Sequence, residues 1–418
     1  MGFLKKIIQH ELVSGSLYIF IGGMVANIFA FLLNLFLAHN LSYADYGIFA
    51  SLLSLITLAS IPSSSISTVI VKFATRFNSK EEFATLHAFY SKSLKFILIF
   101  SLGFFLIFAL LSPLISSYLQ LDNVFYIFLA GLTVMSFYLV ALNTAFLQSL
   151  LKFGFISFVN SFGGLIKLIA GVVLVYAGFR AFAGIWSILL MSLGTFLVAY
   201  LPLRKILNYK QVSKVSIPRN EIINYSVPTF LVILFLTSFT SSDVILVKHF
   251  FNATQGGFYA GLSLIGKVIF YFTAPIPMVM FPLLVKRHSL NQDYKKLFYL
   301  SLILVFLPAF SISIFYFMFP QFTINLFLGG RDYLIVAKYL GIFGLFLTIF
   351  SLVNVCVSFF LSINATKVVF FVIPAAVLQI LFIYLFHSNF YQIIYTSIAV
   401  SFLLFLSLLI YYYKKFGF

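Results

Sequence analysis

Twelve apolar stretches follow one another along this chain, near residues 14–38, 46–71, 96–117, 124–150, 155–177, 181–203, 222–247, 257–284, 297–319, 334–361, 368–386 and 391–412. Each approaches or exceeds the roughly 20 residues that a helix needs to cross a bilayer. With 62% of residues hydrophobic and 8% charged, no water-facing surface could be built from them, so the solvent of the folded chain is lipid. The stretches are long and continuous rather than short and alternating, which selects helices over a β-barrel. The expected fold class is an all-α integral membrane protein with twelve transmembrane helices.

The cations support the count by their placement. Of 26 Lys and Arg residues, 20 fall in every second gap: Lys5, Lys6, Lys72, Arg76, Lys80, Lys92, Lys95, Lys152, Arg204, Lys205, Lys210, Lys214, Arg219, Lys286, Arg287, Lys295, Lys296, Lys367, Lys414 and Lys415. The intervening gaps hold Arg180, Lys248, Arg331 and Lys338, and Lys167 and Lys267 lie within spans. Short cytoplasmic loops carry the excess of Lys and Arg, so both termini are expected in the cytoplasm of a multi-pass protein. The same rule accounts for the net charge of +17 without nucleic acid, since the cations are scattered over short loops between spans. The first stretch is too long for a signal-peptide core and lacks an early small-residue cleavage site, so it is expected to be retained. Cys356, the single cysteine, lies inside the tenth span, where it packs; disulfides and thiol metal sites are not expected.

The most polar part of the chain, Asn208 to Glu221, follows the sixth of the twelve spans. This divides the chain into an N-terminal six-helix bundle (1–207), a cytoplasmic linker (208–221) and a C-terminal six-helix bundle (222–418). A shift of 210 residues lays His39 on His249, Gly47 on Gly257 and Ala50 on Ala260, the trace of an internal repeat. Six crossings per half is an even number, so the two bundles are parallel repeats, an arrangement that places a cavity between them. Pro62 in the second span, and Pro275 with Pro277 in the eighth, are expected to bend those helices, as hinges or cavity lining, or as bends that neighbouring helices satisfy. The segment from Ser79 to Lys95 reads either as an amphipathic surface helix presenting Phe83, Leu86, Phe89 and Tyr90 to the interface, or as a solvated loop.

A charge at mid-bilayer costs on the order of 3 kcal/mol on insertion scales, so those within spans need a reason. Lys167 lies near the centre of the fifth span, flanked at four residues on either side by Gly163 and Gly171; Lys267 lies deep in the eighth. Asp243, in the outer third of the seventh, either pairs with Lys267 or Lys248 or titrates with a coupling proton or sodium ion. Lys167, Lys267 and Lys248 together are candidate substrate-binding cations for an anionic group such as pyrophosphate. Asn27, Asn34, Gln148, Asn160, Asn354 and Gln379 either bind sugar hydroxyls or bond neighbouring helices.

The stretch "LSYADYGIFASLLSL" after the first span, "VKFATRF" closing the second, "LFLGGRDY" before the tenth, and the six-plus-six layout resemble the oligosaccharide flippases. These are the Wzx-like polysaccharide exporters, in the MOP superfamily with the MATE drug antiporters and lipid II flippases. The resemblance covers nearly the whole chain and implies a MATE-like fold. It also implies alternating-access translocation of an undecaprenyl-pyrophosphate-linked oligosaccharide across a bacterial inner membrane, for a surface polymer such as O-antigen. Membrane lipids and polysaccharide assembly proteins are the further partners implied. With twelve spans expected, the chain departs from the lipid II flippases, which have two further C-terminal spans, and that reading is set lower. A MATE-type antiporter shares fold and topology, but its mostly cationic substrates call for an acidic cavity, whereas the spans here hold two Lys and one Asp. A membrane glycosyltransferase or polymerase would carry acids on a sizeable loop, yet the outer loops offer only Asp45, Asp122 and Asp332. No GxxxxGK[ST] loop, HExxH motif or paired carboxylates occur, so the expected protein is a transporter without cofactor or metal, with H+ or Na+ as the candidate coupling ion.

Overall fold

Helices make up all the regular structure of the described residues in the computed structural model, which are 11–41, 43–118, 121, 123–204, 217–251, 253–328 and 331–416. Twelve helical passages are long and apolar enough to cross a membrane. The first half comprises α1 (Glu11–Asn40), α2 (Tyr43–Ala59), α3 (Ile61–Ser79), α4 (Phe83–Tyr118), α5 (Phe125–Ser149), α6 (Phe153–Tyr176) and α7 (Ala181–Tyr200). The second comprises α8 (Arg219–Phe239), α9 (Ser242–Phe250), α10 (Ala253–Gly266), α11 (Val268–Thr273), α12 (Pro275–Ser289), α13 (Lys295–Met318), α14 (Pro320–Leu328), α15 (Ala337–Ser362), α16 (Val369–Leu385) and α17 (Phe390–Phe416). Two compact units result, Met1–Ile223 and Asn224–Phe418, and their boundary falls inside α8. Residues 208–216 of the expected linker lie outside the described residues.

The repeat is written in the turns. After α3, Lys80 N–H bonds the Arg76 carbonyl, Glu81 N–H bonds Asn78 and Glu82 N–H bonds Phe77. After α12, Leu290, Asn291 and Gln292 bond Lys286, His288 and Arg287 in the same order, displaced by 210 residues. Glu81 and Asn291 occupy the left-handed region in these turns, at φ 59° and 53°, as the residue ending a Schellman-type cap must. A second pair of turns, after α5 and α15, repeats the pattern with Leu151 (φ 56°) and Asn364 (φ 65°), and the hydroxyls of Ser149 and Ser362 bond Phe146 and Phe359 identically.

Each unit also has a hub at its fourth span. In the first, α5 packs against α2, α3, α4, α6 and α7; in the second, α15 packs against α10 to α14 and α17. Small residues let helices approach elsewhere: a Cβ on Gly164 of α6 would lie 2.9 Å from Ala26 Cα of α1, and one on Gly171 would overlap Leu33. The Ser161 hydroxyl adds a 3.5 Å bond to the Gly22 carbonyl along this seam.

Three expectations need correction. The segment Ser79 to Lys95 forms no separate surface element or loop: α4 begins at Phe83 and runs unbroken to Tyr118. Leu86, Phe89 and Tyr90 are buried in the bundle, and Tyr90 donates to Asn143 Oδ1 at 2.8 Å, so these residues serve the core rather than the interface. The second span extends beyond 71 to Ser79, which puts Lys72 and Arg76 on the helix instead of in a loop. The seventh span is broken: Thr240 and Ser241 make tight bonds to Thr237 and Ser238, and α9 restarts at Ser242.

Candidate functional site

Asp243 opens α9 just after that break, and its side chain is 1% exposed. Val244 N–H donates to Oδ1 at 2.8 Å and the Tyr259 hydroxyl to Oδ2 at 3.0 Å. Lys267 acts electrostatically on the same carboxylate. It makes no ion pair with it, since among the described residues the ion pair formed is Arg76–Glu221. Tyr259, Ser263 and Lys267 follow at intervals of four, which sets them along one stripe of α10 and its end. The stripe brings together two residues singled out from sequence, Asp243 and Lys267, with two that were not. Tyr259 was hidden as one aromatic among many, and the Ser263 hydroxyl, buried and without a hydrogen-bond partner, carries no sequence signal.

Lys267 sits where the eighth span pauses. Lys267 N–H still bonds Ser263, but α10 ends at Gly266 and α11 begins at Val268. Gly266 abuts the Phe343 ring so closely that a Cβ would overlap it, and the Tyr316 hydroxyl bonds the Ile265 carbonyl at 2.9 Å. The half-buried lysine is thus held by packing around its backbone. Pro275 and Pro277 open α12 after Ala274, and Pro62 opens α3 after Ser60; each lies in the first turn of a new segment, where a missing N–H costs no helical bond. The side chain of Lys248, and those of Arg331 and His39, lie outside the described residues. His249 is exposed at the end of α9.

In the first unit, Lys167 is half-buried on α6. Its flanking glycines face different neighbours, Gly163 toward Thr195 on α7 and Gly171 toward Leu33 on α1. Of the candidate amides, Gln379 is fully buried and bonds the Phe239 carbonyl (3.2 Å) and Ser397 (3.0 Å), a helix-to-helix role at the end of α8. Asn143, which drew no attention in the sequence, is equally buried and joins Tyr90 to the Phe196 carbonyl. Lys72, assigned to a loop from charge alone, is 5% exposed. Among the described residues no group of three His, Cys, Asp or Glu could hold a metal ion.

Comparison with known proteins gives this framework its context. The family described as polysaccharide biosynthesis protein matches residues 36–338. An uncharacterized membrane protein of Methanocaldococcus jannaschii is 24% identical over 409 residues, spanning 93% of this chain and 94% of the relative. A Vibrio cholerae MATE transporter superposes with a TM-score of 0.83 at 12% identity, covering 97% of this chain and 96% of that one. A MOP superfamily transporter from Pyrococcus furiosus Vc1, whose binding pocket is described as of reverse polarity, gives 0.81 at 12% identity over 96% and 95%. The likeness is one of fold, two six-helix repeats in a multi-pass membrane protein. The chain belongs to the polysaccharide biosynthesis protein family and has a MATE/MOP-type fold.

Proposed function

We propose that the chain is a flippase that moves a polyprenyl-pyrophosphate-linked oligosaccharide, with undecaprenyl as the carrier, from the cytoplasmic to the outer leaflet of the inner membrane. The cycle is alternating access, both termini are cytoplasmic, and the product feeds surface-polysaccharide assembly. The observation that carries this reading is the sign of the charge held within the helices. Among the described residues, Lys72, Lys167 and Lys267 are buried or half-buried in the helices against one fully buried acid, Asp243, and one half-buried acid in the first turn of α2, Asp45, while Arg76 pairs with Glu221. Fixed cations offset the desolvation of a pyrophosphate and disfavour the cationic substrates of a drug antiporter. The reverse-polarity pocket described for the Pyrococcus furiosus transporter is in keeping with a superfamily in which this sign varies.

In this proposal Lys267 and Lys167 contact the pyrophosphate during transfer, and Lys248 does so near the outer mouth. Asp243 balances Lys267 in the empty state, and protonation or sodium binding at Asp243 would release the lysine to substrate. Pro62, Pro275 and Pro277 mark the hinges. The test is leaflet transfer of a labelled undecaprenyl-pyrophosphate oligosaccharide in proteoliposomes, with a cationic dye for comparison and an imposed proton or sodium gradient as the variable. Transfer of the lipid-linked sugar supports the assignment. Movement of the dye alone overturns it in favour of drug antiport.

A further inference from the structure

A second charged cluster lies in the first unit, at the turn end of α3, and the mechanism above does not use it. Lys72 and Arg76 are one helical turn apart and therefore share a face of α3. Arg76 Nη1 meets Glu221 Oε1 at 2.5 Å, with the two side chains 33% and 35% exposed. Lys72, almost fully buried, lies within electrostatic reach of both. Glu221 belongs to the first turn of α8, where the unsatisfied N–H groups of a helix start favour negative charge. One residue before Arg76 on α3, the Thr75 hydroxyl is buried, its residue 1% exposed, and has no hydrogen-bond partner.

We infer that Lys72 and Arg76 form a loading site for the pyrophosphate of the lipid-linked substrate, and that Glu221 occupies the position of a phosphate until the substrate displaces it. The inference rests on the function proposed above for its ligand class. Charge favours it over a simple brace. Two basic side chains gather at one carboxylate here, and the Arg76–Glu221 pair by itself suffices to hold α8 against α3. A pyrophosphate diester carries two negative charges and matches the two cations, and its many acceptor oxygens suit the guanidinium fork of Arg76 and the idle Thr75 hydroxyl. Access is graded in the right sense: Arg76 and Glu221 are reachable from outside, and Lys72 stands behind them. Displacement of that carboxylate releases the first turn of α8 from Arg76 of α3.

The test uses the full-length protein in nanodiscs and measures binding of labelled undecaprenyl pyrophosphate, with undecaprenyl monophosphate and inorganic pyrophosphate as comparators. Glu221→Gln removes the competitor and is expected to tighten pyrophosphate-lipid binding about threefold or more, whereas Arg76→Gln weakens it about tenfold, the scale of one charge-assisted hydrogen bond. The exchange Arg76→Glu with Glu221→Arg restores the ion pair and thermal stability but binds as weakly as Arg76→Gln. A brace predicts the opposite: Glu221→Gln no tighter than wild type, or wild-type binding by the exchange variant, and either result overturns the inference. Inorganic pyrophosphate binding as tightly as the lipid would also overturn it, since the site would then read free pyrophosphate. If wild-type protein transfers the lipid-linked sugar while these variants bind like wild type, this inference alone falls. If wild type binds no pyrophosphate lipid, it falls together with the proposed function.

Discussion

The Tyr259–Asp243 bond offers a direct measure of whether Asp243 carries charge. Its carboxylate is out of water, and three things stabilise the ionised form: the Val244 N–H at 2.8 Å, the Tyr259 hydroxyl at 3.0 Å and the nearby Lys267 cation. A hydrogen bond between neutral side chains within a membrane protein contributes about 0.6 kcal/mol on average. One to a charged group contributes about 1.5–3 kcal/mol. Tyr259→Phe removes only the hydroxyl and keeps the ring against Phe343 and Phe390, so its cost reads the bond with little packing loss. With Asp243 ionised we expect a loss of about 2 kcal/mol, which for a unit of this size lowers Tm by roughly 4–8 °C. The assay is thermal unfolding of the detergent-solubilised protein, with Tyr259→Phe made in wild type, in Asp243→Asn and in Lys267→Met. The penalty should shrink to roughly 0.6 kcal/mol or less in Asp243→Asn, which removes the charge outright, and in Lys267→Met, where the buried carboxyl takes up a proton once its balancing cation is gone. A wild-type penalty already at that lower value would show a neutral carboxylate and refute the claim that Asp243 balances Lys267.

Lys267→Ala should abolish transfer of the lipid-linked oligosaccharide without lowering membrane abundance, and Lys267→Arg should retain part of it; normal transfer by the Ala variant removes Lys267 from the path. Gly164→Leu drives a side chain into the α1 backbone at Ala26, and we expect at least about 1–3 kcal/mol of destabilisation, read as a lower melting temperature in detergent; an unchanged melting point would mean that the α1–α6 seam is loose. Asn143→Leu strands the Tyr90 hydroxyl and the Phe196 carbonyl, at about 1–3 kcal/mol for each buried group left unsatisfied, and Tyr90→Phe in the same background should recover part of the loss. Additive losses in that pair would show that the two side chains do not share a bond.

The number and order of the spans were legible because a helix in lipid satisfies its own backbone, so an uninterrupted apolar run of sufficient length has few other folds open to it. Breaks within runs were harder to see. At Thr240 and Ser241 a signal existed, since "TSFTSSD" is rich in side chains that compete for backbone bonds, yet mean hydropathy stays high enough to hide it. At Lys267 nothing local announces a pause beyond Gly266, whose need for smallness comes from Phe343, a residue distant in sequence. Burial of Lys72 was illegible for a different reason. Positive-inside reasoning assigns a cation near a span end to the loop, and only the turn at Glu81 shows that the helix continues well past Lys72, to Ser79.

The two halves share their turns more faithfully than their charges, and this asymmetry bears on transport. The 210-residue repeat lays Arg76 on Lys286 and Phe77 on Arg287, so cations recur at the end of the second span in each half and fit one rule for loops on one side. Interior charge does not recur: Asp243, Tyr259 and Lys267 cluster in the second unit, Lys167 lies in the first, and the Arg76–Glu221 pair belongs to the first alone. A repeat kept for folding alone would be expected to keep its apolar packing and its caps, and those are the features held in common. The charges that cost most to bury are the ones that differ between halves, which is the distribution expected when interior charge serves the proposed transport of an anionic group and not the fold.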